Sequence, residues 1–360
     1  MNVNGRFRRA RGVCGLAGVA AVLVCACAVV AQDGAARSAE SAPAAAEFTP
    51  AMNEAVQKGL AALARMQQPD GSFELRNSVS NVAITALACI AFMADGHLPG
   101  RGRYGQVVER GLEFILANQN EAGVIVADMQ HGPMYGHGFA TLFLAEVYGM
   151  TRGGGDTELS RRTHDALVRA CRLIINTQND EGGWRYNPVP ADADISVTIT
   201  QIMALRSARN AGIEIPRATI DRAVEYVRLC QNVDGGFRYQ LGRGQSAWPR
   251  SAAGLASLYY AGIYEGDELT RGLDYLVETA LPGGGQMSAH YFYGHYYAVQ
   301  AMYLAGGEYW ARWWPLARDE LIQMQSADGV WSDSYGPPYA TAMALIVLQM
   351  PKRYLPIFQK

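Results

Sequence analysis

One short pattern constrains this chain more than anything else in it. "QNDEGGW" runs from Gln178 to Trp184. The same frame, a Gln followed six residues later by a large apolar residue, returns at Gln67–Phe73, Gln119–Ile125, Gln231–Phe237 and Gln325–Trp331. Successive Gln residues stand 52, 59, 53 and 94 positions apart, and the last spacing is twice 47. A degenerate copy fills that gap: "TALPGGGQ", Thr279 to Gln286, keeps the glycines and loses the Gln and the aromatic. Six units of about 50 residues result, and self-similarity at this period marks a repeat architecture. The motif reads as a staple. Its glycines end a helix and reverse the chain, and its Asp or Asn hydrogen-bonds within the turn. The aromatic packs beneath the turn, and the Gln amide reaches backbone groups of a neighbouring unit. Repetition itself argues for packing over catalysis.

Each unit carries two helices of opposite character. Ahead of the motif lies an amphipathic one, in which Ile220, Ala223, Val224, Val227 and Cys230 recur at helical spacing with Asp221, Arg222, Glu225 and Arg228 between them. Met52, Val56, Leu60, Leu63 and Met66 repeat this in the first unit. After the motif lies a helix that is apolar nearly all round, as in "NVAITALACIAFM", "FATLFLAEVY" and "ATAMALIVLQM". A helix without a polar face must be buried. Gly96, Gly212, Gly266 and Gly306 follow these helices, where a left-handed cap is expected. The alternation predicts an all-α fold, either an open solenoid or a closed ring. The apolar inner helices favour closure, which also removes the need for polar capping units.

Of the 360 residues, 49% are hydrophobic and 18% charged, enough for a large core. The net charge of −2 and the lack of a long basic run argue against a nucleic-acid partner. The first 31 residues stand apart from the repeats. Arg6, Arg8, Arg9 and Arg11 precede an uncharged apolar run, Gly12 to Val30, and small residues precede a cut near Ala31. This reads as a secretory signal peptide, with an uncleaved membrane anchor as the alternative. Export to the periplasm or another extracytoplasmic space is therefore expected. Residues 32–47, Ala- and Ser-rich, read as a flexible linker. Residues 48–360 hold the repeats. Cys89, Cys171 and Cys230 lie scattered on separate apolar helices and are expected to be buried free thiols.

The recurring Q-x-x-x-G-x-[WF] resembles the QW motif of squalene and oxidosqualene cyclases, and the repeats those cyclases share with the β-subunits of protein prenyltransferases. The resemblance covers about residues 50–360. It implies an (α/α)6 toroid whose ligand cavity opens where the inner helices begin. By itself it implies no activity. The residues at that mouth would be Asn77, Ser78, Ser80 and Asn81, then His131, Tyr135 and His137, then Asp192 and Asp194. Trp248 and Arg250 follow, then His290, Tyr291, Tyr293, His295 and Tyr296, and last Asp333, Tyr335 and Tyr339.

Within that set "DADI" resembles the Asp-x-Asp-Asp motif of class II terpene cyclases, whose middle Asp protonates an alkene or epoxide. Asp194 falls on the middle position and Asp192 on the first, while Ile195 replaces the third. The job needs a carboxylic acid held protonated, and a nearby carboxylate helps to raise its pKa. The competing reading makes Asp194 a helix N-cap. Protein prenyltransferases bind zinc through Asp, Cys and His, but no Cys stands at these mouths. No spacing demands a metal from His137, His295 and Asp194, so neither metal nor cofactor is expected. The tyrosines, with His137, His290, His295, Trp248 and Arg250, are expected to line the cavity. There they either face a cation or simply fill the ring. A prenyl diphosphate would need a cluster of Arg and Lys, and Arg250 is almost alone. The expected function is binding of an apolar, isoprenoid-type ligand, with acid-initiated cyclisation by Asp194 if the protein is an enzyme. The alternative is a non-enzymatic toroid that binds lipid, peripheral to a membrane, or another protein.

Overall fold

The computed structural model describes residues 47–75, 79–127, 132–151, 157–242, 244–283 and 289–359. The signal and nearly all of the linker lie outside the described residues, as do Asn77, Ser78, His131 and the final glycines of the degenerate motif. Among the described residues, α-helices come in outer and inner pairs. The outer helices are α1 (Pro50–Arg65), α3 (Gly105–Ala117), α5 (Glu158–Asn176), α7 (Arg217–Leu229), α9 (Asp267–Ala280) and α11 (Gly307–Met324). The inner helices are α2 (Val82–Met93), α4 (Met134–Thr151), α6 (Ile195–Asn210), α8 (Trp248–Tyr260), α10 (Tyr291–Ala305) and α12 (Pro337–Gln349). A two-stranded ribbon, β1 (Glu74–Leu75) against β2 (Val79–Ser80), precedes α2.

Each inner helix packs on the next, and α12 packs back on α2 while α11 packs on α1. The repeat therefore closes into an (α/α)6 ring. The inner helices are buried almost throughout: α2 alone hides Ile84, Leu87, Ile90 and Phe92. Burying each such side chain is worth roughly 1.5–3 kcal/mol. Polar side chains start several helices by accepting orphan amides. Thr49 takes the Met52 N–H at 3.1 Å, and Asn81 takes those of Ala83 and Ile84 at 2.9 and 3.1 Å. Three inner helices end in the same way. The amides of His97, Ile213 and Ile263 reach back to Phe92, Ala208 and Leu258, past Gly96, Gly212 and Gly262 in the left-handed region. After α8 the capping residue is thus Gly262. Gly266, expected in that role, instead precedes α9.

The Gln of each motif ties neighbouring units together. The Gln178 amide donates to Gly182 O at 2.7 Å within its own turn and to Thr219 O at 2.9 Å in the next unit. Gln67, Gln119 and Gln231 repeat the pair of bonds toward Val107, Ala166 and Glu268. Gln325 closes the circle by donating to Ala55 O of α1 at 2.8 Å. The glycine four residues after each Gln is obligatory. At Gly182 φ is +96°, and an added Cβ would stand 2.2 Å from the Arg222 carbonyl. Side-chain atoms one turn inside the inner helices then hold the motif's aromatic. The Trp184, Phe237, Phe73 and Trp331 amides donate to the hydroxyls of Thr198, Ser251, Thr85 and Thr341.

Candidate active site at the mouth of the ring

A cavity of about 740 Å³ opens where the inner helices begin, and all six units contribute to it. Going round the ring, units one and two give an aliphatic wall of Leu75, Val82, Ile84, Leu87 and Val126. Tyr135 stands beside it on α4. Unit three supplies Tyr186 and Ser196, and unit four supplies Tyr239, Trp248 and Arg250. Units five and six add His290, Tyr293, Tyr335 and Tyr339. A concave, mostly apolar site with a few convergent polar groups is the usual form of a ligand pocket.

Asp194 stands at the start of α6, next to Ser196. Its backbone amide donates to Trp184 O, and the following amide donates to Tyr239 O, each at 3.0 Å. Its two carboxylate oxygens have separate fates. Oδ1 accepts the Ser196 and Val197 amides at 2.9 Å each, so Asp194 is the N-cap of α6. Oδ2 is fully buried without a hydrogen bond, and its nearest cation is Arg185, with Nε 3.8 Å away. Burial pushes the Asp194 carboxyl up to about 6, against the opposing pull of the Val197 amide, the Arg185 guanidinium, the Ser196 amide and the nearby Tyr239 hydroxyl. Desolvation thus supplies the effect that a neighbouring carboxylate was expected to supply.

Asp192 does not share that environment. It is turned outward, with its side chain 57% exposed, and pairs with Arg185 Nη1 at 2.6 Å. The Pro- and Ala-rich loop that carries it runs over the surface before α6 begins. Its contact with Asp194 is indirect, through Arg185. That guanidinium lies over the rings of Tyr186 and Tyr239, 5.3 and 5.8 Å from their centroids. The hydroxyls of these two tyrosines hydrogen-bond to each other.

Four residues expected to line the cavity, His137, Tyr291, His295 and Tyr296, lie elsewhere. His137 is completely buried. Its Nδ1 accepts the Ile125 amide at 3.1 Å, and its Nε2 meets Ala170 O at 3.3 Å. It thus takes in unit two the place of Thr85, Thr198, Ser251 and Thr341, and burial lowers its pKa to about 4. On α10 the 3.6-residue period separates the rest. Tyr293 and Tyr297 share one face, with rings 4.9 Å apart. Tyr291 and His295 share another and turn toward the outer helices. Tyr291 donates to Glu320 at 2.7 Å, and His295 packs against Trp313 at 5.7 Å. Burial lowers the His295 pKa to about 3, which leaves a neutral imidazole. Tyr296 lies a turn deeper, against Tyr297 and Phe139. Among the described residues no three His, Cys, Asp or Glu side chains gather as a metal site. Cys89, Cys171 and Cys230 are buried and unpaired, and burial raises all three thiols.

The mouth residues that line the cavity together are Asn81, Tyr135, Trp248, Arg250, His290, Tyr293, Tyr335 and Tyr339, while Asp192 and Asp194 are not part of the lining. Tyr293 is buried, and its hydroxyl has no hydrogen-bond partner. His290 sits at φ +62°, in the left-handed region, which places its ring near Tyr335 with Nδ1 3.3 Å from the phenol oxygen. Arg250 lines the wall with its cation engaged: Nε donates to Phe237 O and Nη2 to Gln245 O, at 3.1 and 2.7 Å. Residue-by-residue reading passed over Tyr186, Tyr239 and Leu75. A signal for them exists, because each stands two positions after the motif aromatic, in "GGWRY", "GGFRY" and "SFEL".

No protein-family model matches the chain. Curated relatives do. A drimenyl diphosphate synthase of Streptomyces showdoensis is 26% identical over 190 residues, which is 52% of this chain and 32% of that protein. The terpene cyclase–glycosyl transferase fusion protein fsoA of Humicola fuscoatra is 26% identical over 294 residues, covering 66% and 21% respectively. The chain therefore spans about a third or less of these relatives. Among solved structures, the type II terpene cyclase MstE of Scytonema aligns with TM-score 0.59 at 14% identity, over 85% of this chain and 100% of that one. The GH76A α-1,6-mannanase of Salegentibacter aligns with TM-score 0.64 at 8% identity, over 84% and 99%. At such identities these likenesses establish the ring fold.

Proposed function

We propose that this chain, a terpene cyclase-like α/α toroid, binds an isoprenoid in the mouth cavity and protonates it from Asp194. One observation carries the reading. Asp194 keeps one carboxylate oxygen buried and outside the capping bonds, two residues before Ser196 of the apolar cavity's wall, with its pKa raised to about 6. An acid that initiates cyclisation must hold a proton near neutral pH and release it to a carbon without competition from water. The Oδ1 cap serves this role by fixing the carboxyl while Oδ2 stays available. The wall of Tyr135, Tyr186, Tyr239, Tyr293 and Tyr339 offers π-faces to a developing carbocation, each worth about 0.5–2 kcal/mol. The MstE structures include a complex with geranylgeranyl dihydroxybenzoate, which supports the choice of ligand class. The reaction is then an isomerisation: a proton enters at one alkene, rings close, and a proton leaves the final cation.

A second reading is favoured by Asp192 and Ile195. With the first acidic position turned to the surface and the third apolar, the cavity would bind an isoprenoid without converting it. Incubating the purified protein with farnesol and geranylgeraniol, followed by chromatography of the extracts, separates the two. Cyclised product from the wild type and none from Asp194→Asn supports the enzyme. Tight binding with no product from either protein supports the carrier. Equal product from both removes Asp194 from the mechanism.

A further inference from the structure

The cavity is graded around the ring, and the gradient describes a ligand. Units one and two present mainly aliphatic side chains, Leu75, Val82, Ile84, Leu87 and Val126, with Asn81 and Tyr135 beside them. Unit three lines the cavity with Tyr186 and Ser196, and Asp194 stands two residues before Ser196. Units five and six hold the polar rim, where His290 and Tyr335 pair at 3.3 Å and Tyr335 is 40% exposed. A chain whose head stays at His290 and Tyr335 can lay its apolar length along the wall of units one and two. The volume limits its length. At about 30 Å³ for each water-sized atom, 740 Å³ takes roughly 25 non-hydrogen atoms. That admits a chain of fifteen to twenty carbons with a small head, and it is tight for thirty carbons.

The rim also specifies the head. Apart from Arg250, its hydrogen-bonding groups are uncharged phenols, an imidazole, the Ser196 hydroxyl and the Asn81 amide. Arg250 is the only Arg or Lys among the described lining residues, and two of its nitrogens already serve backbone carbonyls. Arg185, farther back, is held by Asp192 and Asp194. Asp333 stands two residues before Tyr335 and accepts the Tyr335 amide at 2.8 Å. A diphosphate would meet no described cluster of free cations in this lining to balance its charge. We infer that the site selects an isoprenoid of fifteen to twenty carbons with an uncharged oxygen head, an alcohol or phenol rather than a diphosphate, and that His290 and Tyr335 hold that head. The inference rests on the isoprenoid reading above. It separates this chain from relatives named as diphosphate synthases.

Competitive binding to the full-length protein tests it, using a fluorescent prenyl probe displaced by geranylgeraniol or geranylgeranyl diphosphate. The expected result is an alcohol that binds about tenfold or more tightly than the diphosphate, a difference near 1.4 kcal/mol. Tyr335→Phe should weaken the alcohol severalfold while leaving phytane, a saturated hydrocarbon of similar length, unchanged. Tyr335 is half-exposed at the rim, so this variant should fold. A diphosphate that binds as tightly as the alcohol, or more so, overturns the head-group inference and leaves the isoprenoid reading standing. So does a Tyr335→Phe variant that binds alcohol and hydrocarbon as the wild type does. Failure of every isoprenoid to displace the probe overturns both.

Discussion

Asp194 has to do two things with one carboxyl, and the two can be measured apart. Asn caps a helix about as well as Asp. Asp194→Asn should therefore fold normally and lose only the titration. The sign follows from the raised pKa. The folded state binds the Asp194 proton more tightly than the unfolded chain, so this stabilisation is full below about pH 4 and is lost as pH rises through about 6. At pH 8 the wild type buries a charge that Asp194→Asn lacks. The variant should be more stable there by about 2 kcal/mol, with the gap closing by pH 4 in urea titrations. A variant less stable at pH 8 would contradict the buried, protonated acid. Arg185→Gln should push the Asp194 pKa further up, seen as an alkaline limb of activity displaced to higher pH. His137 makes the opposite point. Three other units carry Thr in its place, so His137→Thr should fold and bind ligand, at a cost of about 1–2 kcal/mol for the lost Ala170 contact. Loss of ligand binding in a folded His137→Thr protein would return that side chain to the site.

At the scale of the element, the motif turn is where sequence and structure agree most closely. The Gln bonds, the buried aromatic and the left-handed glycine are all legible from repetition. Gly182→Ala tests the close approach specifically. It should cost several kcal/mol, because the methyl group meets the Arg222 carbonyl as well as the wrong φ. Gly262→Ala, with open space around the new atom, should cost only about 1 kcal/mol by thermal denaturation. Equal costs would mean that the turn relaxes. The mouth was less legible. Sequence order marks where an inner helix begins, but which of Tyr291, Tyr293, His295 and Tyr296 faces the axis depends on the helix's rotation. An apolar all-round helix such as α10 has no polar face to report that rotation. Asp192 and Asp194 look equivalent in "DADI". Only the position of Asp194 as the N-cap of α6 separates its buried carboxylate from the surface one of Asp192. Tyr186 and Tyr239 were hidden in plain repetition, two positions beyond the motif aromatic.

At the largest scale the repeats form a ring closed on itself, and its two ends differ. Inner helices all begin at the mouth. At the far end the C-terminal segment crosses α4 and α6, burying Leu355, Ile357 and Phe358. There the Ile357 amide meets Glu146 Oε2 at 3.3 Å, the Ser207 hydroxyl donates to Oε1, and burial raises the carboxyl to about 7. Closure itself is testable through Gln325, whose bond to Ala55 joins the last unit to the first. In a closed ring, Gln325→Ala and Gln178→Ala should each lower stability by a similar amount, about 1–3 kcal/mol. A Gln325→Ala variant as stable as the wild type would describe an open chain of units. The central claim, that the mouth of this ring delivers a proton from Asp194 to an isoprenoid, is tested most directly by running the reaction in heavy water. Acid initiation leaves one solvent deuterium in the cyclised product, so the account predicts a product heavier by one mass unit from the wild type and none from Asp194→Asn. A cyclised product without deuterium, or a labelled product formed equally by Asp194→Asn, would contradict it.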